Sequence, residues 1–138
     1  MAKTFSLEIL TPERQFYQDE VEAVTVILPD GELTVLADHA SMVASLSMGT
    51  IRVKKDGVWR LAASGYGFME VMLDQVSIFV AACEWPEEID EHRAEEALHR
   101  AEERLGQQRS IIEHRHAQIS MARALNRLSV FRRQNPRM

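Results

Sequence analysis

Cys83-Glu84-Trp85-Pro86-Glu87-Glu88-Ile89-Asp90-Glu91-His92-Arg93-Ala94 is the stretch that decides how this chain folds. Before it, apolar residues alternate with polar ones; after it, they recur every three or four positions. Alternation belongs to strands, whose side chains point to opposite faces in turn, and the longer period belongs to helices. Pro86 lacks a backbone N–H and separates the two regimes. Asp90 is placed to cap a following helix, and Glu87 and Glu88 suit the positive end of its dipole. From Asp90 onward no proline occurs until Pro136, and Ala, Glu and Arg dominate.

Toward the N-terminus the chain reads as short strands. Phe5, Leu7 and Ile9 alternate with polar neighbours, and Thr11-Pro12-Glu13-Arg14 is a turn. Val21, Val24, Val26 and Leu28 lie in a β-branched run that stops at Pro29-Asp30-Gly31. Leu33-Thr34-Val35-Leu36 follows, then the apolar Met42 to Leu46, closed by Gly49. Ile51-Arg52-Val53-Lys54 alternates again, and Asp56-Gly57 predicts a hairpin to Val58-Trp59-Arg60-Leu61. Gly65-Tyr66-Gly67 punctuates the run Phe68 to Met72, and Asp74-Gln75 leads into Val76 to Val80. Strands at this spacing, about 8–12 residues, predict a sandwich or a barrel.

Toward the C-terminus, Ala94, Ala97, Leu98, Ala101 and Leu105 recur at helical spacing. Glu96 and Arg100 form an i,i+4 pair of the favoured orientation, and Gly106 can end this helix. A second helix is predicted from about Ser110 to Phe131, with Ala117, Met121, Ala124, Leu128 and Phe131 along one face. A short connection between two such helices gives an antiparallel hairpin. Its seam is mostly alanine, which buries little area, so docking should be weak. Two outcomes stay open: a hairpin with more than one arrangement, or one permanently docked.

Charge sharpens the division. The 138 residues carry 16 Lys+Arg and 21 Asp+Glu, a net −5. Residues 1–86 have 6 basic and 12 acidic groups, a balance of −6, and residues 87–138 have 10 and 9, a balance of +1. Within the second part, residues 105–138 hold seven arginines against Glu113 alone, a balance of +6. Such a segment is drawn to acidic surfaces, or it neutralises an acidic neighbour. The single cysteine, Cys83, rules out a disulfide framework and a Cys-based zinc site, and fits a reducing compartment. No apolar run approaches the roughly 18–20 residues of a membrane span. Met1-Ala2-Lys3-Thr4-Phe5 opens no long apolar segment, so no secretory signal is expected.

Several fragments carry a family resemblance. They are Gly31-Glu32-Leu33-Thr34-Val35-Leu36 with Asp38-His39-Ala40, Gly49-Thr50-Ile51-Arg52-Val53, Gly67-Phe68-Met69-Glu70-Val71, Ile89-Asp90-Glu91-His92-Arg93-Ala94 and Ala124-Leu125-Asn126-Arg127-Leu128-Ser129-Val130. In this order and spacing they resemble the epsilon subunit of the F-type, proton-translocating ATP synthase, over nearly the whole chain. The chain departs from the family at Ala37-Asp38, where proline and glycine are usual. It departs again at Ser41, often proline, and at Tyr66-Gly67, usually two glycines.

The resemblance implies an α+β fold: an N-terminal antiparallel β-sandwich over 1–86, then a C-terminal antiparallel α-helical hairpin over 87–138. It implies a non-catalytic central-stalk subunit, with no active site of its own. The sandwich would bind the gamma subunit and the ring of c subunits, with Glu32, expected at a turn tip, either facing the c-ring or simply a solvated turn residue. The hairpin would be regulatory, inhibiting ATP hydrolysis when it extends along gamma to an acidic segment of the beta subunit. Arg115, Arg123, Arg127, Arg132 and Arg133 would supply that contact. The implied location is peripheral, on the cytoplasmic face of the bacterial cell membrane, attached only through the complex. No nucleic acid is expected as a partner. The competing reading is a free-standing module whose Arg-rich helix grips nucleic acid; the overall acidity and the lack of interleaved aromatics argue against it.

Ile89, Asp90, Arg93 and Ala94 form the family's hinge motif, which binds ATP in some members. Arg93 and Arg100 lie seven apart on one helix face, and Arg123 and Arg127 lie four apart on the next helix. In a folded hairpin these four guanidiniums could converge on a triphosphate. Glu84 matches a further ligand position in ATP-binding relatives. No Walker-type glycine loop is present, so a bound ATP would be regulatory, and no cofactor is required. The plainer reading makes Asp90 only a cap and the arginines only partners of nearby glutamates. Four of the five histidines, His92, His99, His114 and His116, fall in the hairpin, and exposed, unimportant side chains are the expectation. Cys83 is expected to be buried filler, Asp38-His39 a structural turn, and Trp59 and Tyr66 core or interface residues.

Overall fold

A computed structural model describes residues 2–107 and 110–134. The chain divides into two compact units, Met1–Trp85 and Pro86–Met138. The first is a sandwich of two five-stranded sheets. Its strands are β1 (Phe5–Leu10), β2 (Gln15–Val21), β3 (Ala23–Leu28), β4 (Gly31–Leu36), β5 (Met42–Leu46), β6 (Gly49–Lys55), β7 (Val58–Ser64), β8 (Gly67–Val71), β9 (Gln75–Val80) and β10 (Cys83–Glu84). One sheet has the order β2-β1-β9-β8-β5, the other β10-β7-β6-β3-β4. All pairs are antiparallel except β1 with β9, where Leu7 faces Val76 and Ile9 faces Ile78 in parallel register.

The alternation works as the sequence suggests. Along β1, Phe5, Leu7 and Ile9 are buried while Ser6, Glu8 and Leu10 are only partly covered. These three join Val24, Val26, Ile51, Val53, Met69, Val71, Val76 and Ile78 in one core between the sheets. Cys83 is buried at its edge. Asp56 and Gly57 are the two loop residues between Lys55 and Val58, with φ of 52° and 77°. Those positive angles define a tight hairpin turn that matches strand twist. The earlier hairpin differs. Leu28 pairs with Gly31, so its tip is Pro29-Asp30 and Glu32 lies on β4, opposite Ile27, not at the tip.

The second unit opens with a single 3-10 turn, Pro86–Glu88, in which the Ile89 N–H donates to the Pro86 carbonyl at 3.1 Å. Helix α1 spans Glu91–Gly106 and α2 spans Ile111–Gln134. Asp90 caps α1, its carboxylate accepting from the Arg93 N–H at 3.1 Å. Ser110 caps α2, its hydroxyl accepting from the Glu113 N–H at 3.2 Å. Gly106 is the last residue of α1 and does not adopt a left-handed conformation; Gln107 closes the helix through an N–H to the Arg104 carbonyl at 3.2 Å. Arg132, near the end of α2, meets Glu91 and Glu95 near the start of α1, which fixes the pair as antiparallel. Ala94, Ala101, Ala117, Ala124 and Leu128 are buried, as is Val130, which lies off the expected stripe.

Candidate functional site

The helical unit contains a cavity of about 280 Å3 between α1 and α2. Its floor is Ala97, Ala101 and Ala124, small residues that leave room where larger ones would close the seam. Its rim is Arg93, Arg100 and Arg104 from α1, with Arg123, Arg127 and Ser120 from α2. The structure therefore brings together all four arginines singled out by spacing. It adds Arg104, which the sequence reading missed although its signal was present: 93, 97, 100, 104 is a single helical stripe.

The carboxylates of α1 are turned elsewhere. Glu96 lies 2.8 Å from the His92 ring and Glu103 lies 3.0 Å from the His99 ring, each one turn along the helix. Glu95 lies 3.1 Å from Arg132. The expected Glu96–Arg100 pair does not form, because His92 holds Glu96 while Arg100 sits on the face that lines the cavity. Among the described residues, Arg93, Arg100, Arg104 and Arg123 form no ion pair. Guanidiniums gathered without counter-charge repel one another and favour an anion between them.

The other expected site residues fall outside the cavity lining. Asp90 is the helix cap. Ile89 and Ala94 are buried, and the Ala94 N–H donates to the Asp90 carbonyl at 3.0 Å. Glu84 lies in the sandwich unit, on β10, paired with Ala63 of β7. Arg115 and Arg133 are exposed on α2, and Arg132 is engaged by Glu91 and Glu95.

The sandwich carries its own surface features. Phe68 and Phe79 stack with ring centroids 4.9 Å apart on the outer face of the β5-edged sheet. With Leu10, Pro12 and Tyr66 they line an apolar groove of about 500 Å3. Val43, on the edge strand β5, is 71% exposed beside this face. On the other sheet, Arg52 holds Glu32 at 3.2 Å while stacking 5.8 Å from the Trp59 ring. Trp59 and Tyr66 are both exposed. Asp38 lies in a turn with φ of 64°, and the adjacent His39 ring nitrogen meets the Ala40 carbonyl at 2.8 Å.

These two units describe a class: a β-sandwich followed in the chain by an arginine-lined helical hairpin. Residues 4–86 match the family profile described as ATP synthase, Delta/Epsilon chain, beta-sandwich domain. Residues 87–132 match ATP synthase, Delta/Epsilon chain, long alpha-helix domain. The ATP synthase epsilon chain of Caldanaerobacter subterraneus subsp. tengcongensis is 46% identical over 131 residues, covering 94% of this chain and 95% of that one. The epsilon chain of Bacillus velezensis is 42% identical over 128 residues, covering 93% and 97%. A chain in the Euglena gracilis mitochondrial ATP synthase shares the fold, with TM-score 0.77 at 24% identity over 96% of this chain and 81% of that one. The chain belongs to the ATP synthase delta/epsilon chain family. Its homologues are a non-catalytic stalk subunit. This membership displaces the free-standing nucleic-acid module as a reading.

Proposed function

We propose that this chain works in the central stalk of a bacterial ATP synthase, with the sandwich as anchor and the hairpin as a brake on ATP hydrolysis that bound ATP holds off. The anchor reading places the gamma subunit on the apolar Phe68–Phe79 face and the c-ring near Glu32. An exposed aromatic groove on a sheet face is the kind of surface that partners cover. Glu32, tethered by Arg52, presents a fixed carboxylate to a polar loop. No helix among the described residues is long and apolar enough to cross a membrane, and attachment to the cytoplasmic face through the complex fits that.

The arginine cavity carries the regulatory reading. It exists only while α1 and α2 lie side by side, so a triphosphate bound there favours the folded hairpin by mass action. Arg123 and Arg127 line the cavity in this arrangement, yet they are also the groups a basic helix would offer to an acidic segment of the beta subunit. Arg132 likewise exchanges Glu91 and Glu95 for that partner. One set of charges serves two exclusive partners, which is what a switch requires.

Isothermal titration of the full chain with ATP tests the sensor, and absence of heat at millimolar ATP removes it. Removing residues 87–138 and measuring hydrolysis by the reconstituted catalytic complex tests the brake. Faster hydrolysis is expected, and an unchanged rate excludes an inhibitory hairpin while leaving the stalk role intact.

A further inference from the structure

We infer that His92 and His99 make the arginine cavity respond to protons: as imidazolium they hold Glu96 and Glu103 off the arginine row, and on deprotonation they release both carboxylates to Arg100, which leaves the cavity one donor short. This regulation rests on the sensor reading of the same cavity and goes beyond it. Three observations carry it.

The first is position. Arg100 lines the cavity together with Arg93, Arg104, Arg123 and Arg127. It also lines a second surface, on α1, with His92, Glu95, Glu96 and His99. Arg100 is therefore where the two meet. Glu96 lies four residues before it and Glu103 three after, both within helical reach. Neither takes it, and among the described residues Arg100 forms no ion pair.

The second is what diverts the two carboxylates. The His92 Nε2 lies 2.8 Å from Glu96, and the His99 Nε2 lies 3.0 Å from Glu103. An ionised carboxylate only accepts, so each of these ring nitrogens carries a proton.

The third is the balance between competing pairs. Glu96 with Arg100 has the favoured i,i+4 orientation, the acid nearer the N-terminus, and the guanidinium charge is permanent. The pairs with His92 and His99 run the other way. A neutral imidazole sets only a dipolar N–H against Arg100, so the diversion holds while the ring is charged. Imidazole changes charge between about pH 5 and 8, and both rings are exposed and follow the solvent. The other charged groups around the rings have their own places. Glu95 is held by Arg132 of α2 at 3.1 Å, and Arg123 and Arg127 of α2 line the cavity. Glu102 is exposed on α1, and Glu87 and Glu88 stand in the 3-10 turn before it.

Nuclear magnetic resonance of the full chain, without ligand, reads the pairing directly. Between about pH 5 and 8 the Glu96 carboxyl carbon and the Arg100 Nε–H should shift with the midpoint of the His92 ring. In His92→Ala/His99→Ala, whose alanines keep helix propensity, Arg100 should stay in its paired, high-pH state throughout. An Arg100 signal that ignores the histidines overturns the inference. Titration calorimetry with ATP reads the consequence. At about pH 6 the histidine double variant should bind ATP about threefold more weakly than the natural chain, and at about pH 8 equally. In a Glu96→Gln/Glu103→Gln background, removing the histidines should change nothing at either pH. A loss of about threefold persisting in that background means that histidine charge acts on ATP directly, which overturns the inference. No ATP heat from the natural chain at either pH removes the sensor reading, and the Arg100 signal then decides the inference alone.

Discussion

Gly67 begins β8 at a point where a side chain has no space: a Cβ there would overlap the Phe79 carbonyl oxygen on β9. Gly67→Ala should therefore cost about 3 kcal/mol or more in urea unfolding of the sandwich, since backbone cannot yield as a flexible side chain can. Tyr66, the neighbour that departs from the family's paired glycines, is exposed, and Tyr66→Ala should cost under about 1 kcal/mol. Only one of the two positions is sterically bound to be glycine. Asp38, at another of the departures, sits at φ 64°, a left-handed conformation that aspartate tolerates better than most residues. The sequence shows these departures but not their consequences, because a backbone angle or a close approach depends on strands far apart in the chain. Tyr17 offers a second test. Its hydroxyl is held above the ordinary value of 10.0, first by burial and then by nearby Asp19, with Lys55 and Arg60 opposing. A raised phenol stabilises the fold fully below pH 10, and that contribution is lost as pH rises through the folded-state value. In Tyr66→Phe, whose one remaining tyrosine is Tyr17, phenolate absorbance should titrate above pH 10 when folded and return to the ordinary value in denaturant. An ordinary midpoint in the folded protein would contradict the burial seen here.

At the scale of elements, Asp90 joins a local rule to a proposed function. As the cap of α1 it satisfies the Arg93 N–H, so Asp90→Ala should cost the hairpin about 1 kcal/mol, read as faster amide exchange in α1. Asp90→Ser keeps a good cap without the charge and should restore most of that protection. If both variants lose ATP binding while only the first loses protection, the carboxylate acts on the ligand as well as on the helix. The seam gives the next prediction. Ala101 and Ala124 are buried and floor the cavity, so Ala101→Leu should fill it, weaken the proposed ATP binding and strain the helix pair by about 1–3 kcal/mol. Most elements were legible for such local reasons. Period two gave β1 and β6, Asp56-Gly57 gave a turn, and the Asp90 cap gave the start of α1. The β1–β9 parallel pairing was not, since the register of strands about 70 residues apart leaves no local mark. Nor was the diversion of Glu96 to His92, because helical spacing offers the carboxylate both His92 and Arg100 and only side-chain direction chooses.

For the whole molecule, the two units differ in what holds them together. The sandwich core draws on Phe5, Leu7, Ile9, Ile51, Met69, Val76, Ile78 and others, all between residues 5 and 83. The helical unit buries Ile89, Leu128 and Val130 together with four alanines, Ala94, Ala101, Ala117 and Ala124. Burial contributes roughly 25 cal/mol per Å2 of apolar surface, and an alanine side chain has little to bury. The ion pairs of Arg132 with Glu91 and Glu95, which link the helices, are partly solvent-exposed and so add at most about 1 kcal/mol. Opening of the hairpin should therefore cost far less than unfolding of the sandwich, as expected for an element that moves. Hydrogen exchange of the intact chain should show this directly. Amides of α1 and α2 should exchange at least about tenfold faster than those of β1, β6 and β9, in a common opening event. Millimolar ATP should slow the helical amides and leave the strands unchanged, because the proposed ligand binds only the paired helices. Equal protection in both units would mean that the alanine seam is held as firmly as the sandwich core, and a hairpin held that firmly could not serve as a brake that swings.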